Sequence, residues 1–210
     1  MIELLNMDCM DYLKECDDNA FQLCIVDPPY GIGEDGSSNK SRSKLAAAKN
    51  YKPYIGNDKK PPDLQYFQEL KRVSKNQIIW GANHFCGIFG GSSSCWIVWD
   101  KVNGKNDFAD CELAYTSFET ATRMFKYTWH GMLQGDMKNK EHRIHANQKP
   151  VKLYEWLLTN YAKEGDRILD THGGSMSSAI ACHNLNYNMT IIELDDDYFR
   201  AGKERLESHQ

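Results

Sequence analysis

Apolar and polar positions along this chain follow two periods, and the switches between them mark its elements. FQLCIV (21–26) is an unbroken apolar run closed by two prolines, the pattern of a central strand buried on both faces. IELLN (2–6), QIIWG (77–81), CWIVWD (95–100), DRILD (166–170) and MTIIEL (189–194) read as further strands. CELAYTSF (111–118) and TRMFKYTWHG (122–131) read as two more, the second with alternation. Helical spacing appears between them. MDYLKE predicts a short amphipathic helix, and PDLQYFQELKRVS places Leu64, Phe67 and Leu70 on one face behind an Asp63 cap. VKLYEWLLTNYA aligns Leu153, Trp156, Leu157 and Tyr161, with Pro150 near its first turn. The chain then runs strand, helix (SMSSAIACHNLN), strand, helix (DDDYFRAGKERLES), which is a βαβ unit with a parallel pair. The expected class is α/β, whose ligands gather at the carboxyl ends of the strands.

Composition narrows the class. At 210 residues, 41% hydrophobic and 26% charged, the chain suits one globular domain, 1–210, with room for a sizeable insertion. No apolar run has the length a bilayer needs, and the start MIELLNMDCMDYLK lacks the basic and apolar regions of a leader, so a cytoplasmic location and no membrane partner are expected. The seven cysteines form no CxxC pair, which fits buried thiols in a reducing compartment. His142 and His145 make a lone HxxH, more often two surface histidines than a zinc site, and no metal is assigned. The net charge of −4 argues against a general polyanion binder. Locally the balance reverses: residues 31–60 hold seven Lys/Arg against three acids. A Gly/Ser/Lys/Asn-rich stretch over 31–62 predicts a long, mobile basic loop, with a solvated surface loop as the plain alternative.

Two strand ends carry candidate chemistry. After DRILD, Gly173-Gly174 makes a tight turn, small residues open a helix, and Glu193 ends the next strand. Such a turn lets the backbone approach a nucleoside while the later acid takes the ribose hydroxyls, although plain strand–helix packing uses the same glycines. At the other end, Asp27-Pro28-Pro29-Tyr30 closes the buried strand. A DPPY tetrapeptide arises by chance in a chain this long roughly once in a thousand. A rigid turn accounts for the prolines but not for the flanking residues. A carboxylate with nearby carbonyls accepts hydrogen bonds from an exocyclic amine, and a phenol ring offers a stacking face to an extruded base. The basic loop follows at once and suits a displaced phosphate backbone.

With these motifs in place the sequence resembles the amino-methylating, S-adenosylmethionine-dependent DNA methyltransferases. It resembles specifically the circularly ordered type, in which the catalytic tetrapeptide precedes the cofactor loop. IELLNMDCMDYL resembles the N-terminal segment, DPPY the catalytic motif, and WGANHF (80–85) and WDKVNG (99–104) the strand ends that follow. HANQKPVKLYEWLL resembles the H-x-T-Q-K-P helix start, ILDTHGGSMSSAIA the cofactor loop, and IIELDDDYFRAGKERL the acid-ended strand. The resemblance implies a Rossmann-like class I fold with a seven-stranded, mostly parallel sheet containing one antiparallel strand. It assigns catalysis to Asp27, Pro28, Pro29 and Tyr30. It assigns cofactor binding to Asp8, to Asn147, Gln148, Lys149 and Pro150, to Asp170, Thr171, His172, Gly173, Gly174 and Ser175, and to Glu193.

The implied reaction is methylation of adenine N6 in double-stranded DNA after base flipping. Cytosine N4, an RNA base, and a catalytically silent DNA-binding relative stand as alternatives. Target recognition is expected within about 101–146, with Lys101, Lys126, Lys138, Lys140 and Arg143 as candidate nucleic-acid contacts beside Lys40, Arg42 and Lys44 of the loop. So short a segment implies a small target site or a homodimer sharing the DNA. Three positions depart from the family pattern: Asn147 for threonine, His172 for phenylalanine, and Met176 for the last glycine of the cofactor loop. A side chain at 176 is expected either to crowd the methionine end of the cofactor or to demand a different turn.

Overall fold

The computed structural model describes residues 1–33, 58–104 and 109–209. Its strands are β1 (Ile2–Asn6), β2 (Phe21–Val26), β3 (Ser74–Trp80), β4 (Trp96–Asp100), β5 (Cys111–Thr116), β6 (Arg123–Lys126), β7 (Trp129–His130), β8 (Leu133–Gln134), β9 (Arg167–Asp170) and β10 (Asn188–Glu193). The helices are α1 (Cys9–Glu15), α2 (Leu64–Val73), a short α3 (Cys86–Phe89), α4 (Val151–Tyr161), α5 (Ser177–Asn184) and α6 (Asp196–Glu207). Local chemistry sets the starts. Asp8, Asp63 and Asp195 cap α1, α2 and α6 with their carboxylates, and Asp63 accepts from the Tyr66 amide at 3.0 Å. Pro28 and Pro29 have no amide hydrogen to give a ladder, so β2 ends at Val26.

Eight strands form one sheet in the order β1-β10-β9-β2-β3-β5-β4-β6. From β1 to β3 every pairing is parallel, and β4 and β6 also run parallel to each other. Only β5 runs against its neighbours in this sheet. Side-chain alternation builds a core on each face. Leu23 and Ile25 of β2 join Ile78, Trp80, Leu153, Leu157 and Ile180 under α4 and α5. Cys24 and Val26 face the other way, with Leu13, Phe67, Leu70 and Phe85 under α1 and α2. Burial of each such aliphatic side chain contributes roughly 1.5–3 kcal/mol, which is why β2, filled on both faces, sits at the centre.

The sheet has eight strands, one from each strand segment read in the sequence, where the resemblance implied seven; TRMFKYTWHG, however, is not one strand. Its first part, β6, adds to the open edge of β4, while β7 turns away to pair with β8 in a separate ribbon. The break follows the aromatics: the Trp129 indole donates to the Gln148 carbonyl at 2.7 Å and leaves the plane of the sheet. Leu64 also departs from its expected face and is exposed, because α2 buries Tyr66 instead. Pro150 sits at the cap position before α4, and the Glu141 carboxylate receives the first helical amide, that of Val151, at 2.9 Å. No described helix is long and apolar enough to cross a membrane.

Candidate active site at the carboxyl edge of the sheet

β2 and β9 are hydrogen-bonded parallel neighbours, with Cys24 opposite Leu169, so Asp27 and the turn after Asp170 emerge side by side. The DPPY turn is locked from several directions. The Tyr30 phenol donates to Asp27 Oδ1 at 2.7 Å. Asp58 returns to accept the amides of Gly31 at 2.9 Å and Ile32 at 3.2 Å, which clips the two ends of the loop together. Gly81 adopts φ +67°, and a Cβ there would stand 2.1 Å from the Tyr30 ring; only glycine lets the β3 end pass so close. The exposed His84 ring stacks on Tyr30, with centroids 5.2 Å apart and planes at 18°. One face of the tyrosine that sequence reasoning left open for a base therefore carries a histidine.

Around Asp27 lies a compact charge cluster. Lys149 donates to Asp27 Oδ2 at 2.5 Å and to the Tyr30 hydroxyl at 3.1 Å. It also lies 3.2 Å from Glu112 Oε2, and Lys101 pairs with Glu112 Oε1. The Lys149 ammonium hangs 5.5 Å and 5.6 Å from the Tyr30 and Trp80 ring centres. Burial pushes the Asp27 carboxyl up against the pull of Lys149. Burial acts upward on Glu112 as well, but Lys149 and Lys101 together outweigh it and hold that carboxyl down at about 2. Burial would depress Lys149, yet Asp27 and Glu112 prevail and keep it charged. Burial and the adjacent Asp27 hold Tyr30 as a neutral phenol, a donor.

The neighbouring turn has the features of a nucleoside cradle. Asp170 is buried, accepts from Ser178 Oγ at 2.6 Å and the His172 amide at 3.0 Å, and is driven up to about 7, chiefly by burial. Glu193 receives the Gly174 amide at 2.7 Å on one oxygen and the Asp195 amide at 2.8 Å on the other. A Cβ on Gly174 would meet only the His145 ring, 3.9 Å away, so the space over this turn is open. Thr171 bonds the Tyr66 hydroxyl at 2.7 Å and His172 Nδ1 at 2.9 Å, and burial lowers His172 to about 4, leaving it neutral. Asp8, exposed at the tip after β1, closes the acidic rim beside Glu193. An open glycine turn ringed by Asp8, Asp170 and Glu193 fits a cationic nucleoside cofactor.

Met176 resolves the departure in the loop. It takes the left-handed conformation of the missing glycine, φ +58°, so the turn keeps its form. Its side chain is fully buried, reaching between Gly173 and Gly202 of α6 into the core. The thioether is packed against Gly173 and α6 and is not exposed in the open space over Gly174.

The DNA methylase family, with N6- and N4-amino methyltransferases as its members, matches residues 65–204, about two thirds of the chain. The chain belongs to this DNA methylase family. It is 24% identical to the Type II methyltransferase M.HpaI of Haemophilus parainfluenzae, over 98% of this chain and 74% of that protein. Among solved structures it is similar to the M1.HpyAVI–SAM complex, with TM-score 0.60 and 20% identity over 98% of this chain and 100% of that one. It is similar also to the cytosine-N4-specific PvuII DNA methyltransferase, with TM-score 0.62 and 11% identity over 99% and 89%. At these identities the structural likeness establishes the fold.

In this DNA methylase the remaining sequence-picked residues divide by position. Asn147 is exposed, its amide donating to His145 Nδ1 at 3.1 Å. Gln148 is turned inward, its side chain accepting the Ile144 amide at 2.9 Å, so it shapes the loop before α4. Ser175 is buried and bonds Ser177 at 3.0 Å. Lys138 and Lys140 are exposed, as is Lys126, 3.8 Å from Asp100. Lys101 is drawn into the charge cluster, and Arg143 packs over the Trp129 ring at 4.1 Å. Lys40, Arg42 and Lys44 lie outside the described residues, with most of the expected basic loop.

Sequence reasoning missed Glu112, Tyr66, Glu141 and Arg205. Arg205 ties α6 to the Ser175 carbonyl at 2.6 Å and to Glu141 at 2.7 Å, bracing the cofactor turn against the start of α4. One signal was available: Glu112 is the second residue of β5, and an antiparallel strand brings its first residues to the edge where parallel strands end.

Proposed function

We propose that this DNA methylase moves a methyl group from S-adenosylmethionine to N6 of an adenine flipped out of duplex DNA, as a circularly ordered member whose catalytic tetrapeptide is Asp27-Pro28-Pro29-Tyr30. The observation that carries the reading is the adjacency of Asp27 and the open glycine turn at the tips of paired strands. The likeness to a SAM-bound relative supports the same choice of cofactor.

When bound, S-adenosylmethionine supplies an electrophilic methyl carbon and leaves as a neutral thioether. The protein's part is positioning. Asp8 and Glu193 would hold the nucleoside of the cofactor, and Asp27 would accept a hydrogen bond from the exocyclic amine. This aligns the nitrogen lone pair with the methyl carbon. Asp27 would also accept the proton that the amine must lose once it is methylated, and pass it to water. Tyr30 orients that carboxylate. No side chain becomes covalently attached.

The test is transfer of labelled methyl from S-adenosylmethionine to mixed-sequence duplex DNA, followed by digestion to nucleosides. Label in N6-methyl-2′-deoxyadenosine is the expected result. Label in N4-methylcytosine reassigns the target, and label in RNA but not DNA reassigns the substrate. DNA binding without transfer leaves the silent reading, whose one sequence feature, Met176, is buried in the core.

A further inference from the structure

Both oxygens of Asp27 are occupied, Oδ1 by the Tyr30 hydroxyl and Oδ2 by Lys149. A base amine that is to donate to this carboxylate competes there with the Lys149 ammonium, which closes on Oδ2 and neutralises its charge. Tyr30 is wedged between His84 and Gly81, so the lysine is the partner with somewhere to go. It cannot retreat to solvent, because its side chain is only 5% exposed. Among the described residues, the other carboxylate within reach is Glu112. Its Oε2 is buried and lies 3.2 Å from the ammonium, already ion-paired with it. Its other oxygen is fixed by Lys101, which itself rests over the Trp99 ring. The cluster thus holds two ammoniums and two carboxylates, with Lys149 shared between Asp27 and Glu112.

We propose that Glu112 is a positioning residue for methyl transfer: it draws Lys149, which it already shares with Asp27, off Asp27 Oδ2 and onto its own Oε2 when the target amine arrives. The inference rests on the function proposed above. Charge is conserved within the cluster, since the ammonium moves from one carboxylate to another a short distance away and the released Asp27 oxygen is filled by the amine. Without the Glu112 charge, Lys149 has Asp27 as its sole anionic partner here and stays clamped on it. The titratable groups facing the exchange are Asp27, Tyr30, Lys101, Lys149 and, from α4, Tyr154.

The experiment compares Glu112→Gln and Glu112→Asp in the full chain, by single-turnover transfer to duplex DNA from pH 6 to 9, with affinities for DNA and S-adenosylmethionine measured alongside. The Gln variant is expected to lose about 100-fold in rate at every pH, with both affinities within about threefold of the parent. The Asp variant is expected to recover to within about tenfold, because the charge and not the shape is required. A parent that transfers no methyl to any nucleic acid overturns the functional reading and this inference with it. An active parent with an equally fast Gln variant, or an Asp variant as slow as Gln, overturns the inference alone. Should the Gln variant fail to fold, nitrogen-15 NMR of the Lys149 ammonium in the unaltered protein decides. Its resonance shifts when adenine-containing duplex DNA and S-adenosylhomocysteine are added together, whereas an unmoved resonance refutes the exchange.

Discussion

Replacing Gly202 by alanine places a methyl group in the middle of α6, where the exchange would ordinarily stabilise a helix by about 1 kcal/mol. Here the new Cβ would stand 2.5 Å from Met176 Cγ and 3.1 Å from the Gly174 carbonyl oxygen. Met176 cannot simply swing aside. Its Cγ is close to the backbone, its side chain is fully buried, and its Sδ and Cε already lie 3.1 Å from where a Gly173 Cβ would be. Overpacking of this kind costs about 1–3 kcal/mol, so Gly202→Ala is expected to be net destabilising by up to about 2 kcal/mol. That corresponds to a Tm lower by up to about 4–8 °C at this chain length. Met176→Gly alone loses about 2–5 kcal/mol of buried packing and regains about 1 kcal/mol of left-handed strain. Combined, the two changes relieve one another, with an expected coupling of about 1–3 kcal/mol. Urea unfolding of all four proteins measures that coupling, and calorimetric titration with S-adenosylmethionine runs beside it. If Gly202→Ala gains the full helix increment and the double variant is additive, the claim that Met176 and Gly202 share one space is wrong. A large change in cofactor affinity in Met176→Gly, out of proportion to stability, would place that side chain on the cofactor's side of the turn after all.

Other consequences are more local. Asp27→Ala is expected to slow single-turnover transfer by about 10²–10⁴-fold while cofactor affinity holds, and a parallel loss of both would contradict the separation of the two strand tips. Arg205→Met leaves Glu141 buried without its partner and frees the Ser175 carbonyl, so denaturant unfolding should register a loss of about 3 kcal/mol; wild-type stability would mean that the strap holds nothing. Asp170 is raised from 3.8 to about 7 by burial, so its contribution to cofactor-free stability is fully present below about pH 4 and is lost as pH rises through 7. Asp170→Asn should therefore gain Tm relative to the parent between pH 4 and 8 in calorimetric scans, and an unchanged difference across that range would refute the buried-carboxylate account.

Much of this protein follows from order along the chain alone. Apolar runs closed by turns specify the strands, FQLCIV declares itself central because both its faces are apolar, and Pro28-Pro29 end it by withholding amides. The glycine turn and Glu193 follow from the βαβ spacing, and Asp63 marks its helix because capping is a short-range bond. These are local interactions, so local sequence encodes them. What the tertiary structure decided lies between segments remote in sequence. Lys149 is grouped by sequence with the cofactor residues, but the sheet carries α4 behind β2 and sets its ammonium on Asp27, 122 positions away. Glu112 is an unremarked strand residue until the reversal of β5 delivers it to the parallel strands' carboxyl edge. Met176 looks like an obstruction in the loop, and only the glycine opposite, on α6, shows where its side chain goes. Charge pairing and packing act through space, at distances that chain order does not contain, so which carboxylate holds which ammonium is settled only once the strands are laid side by side.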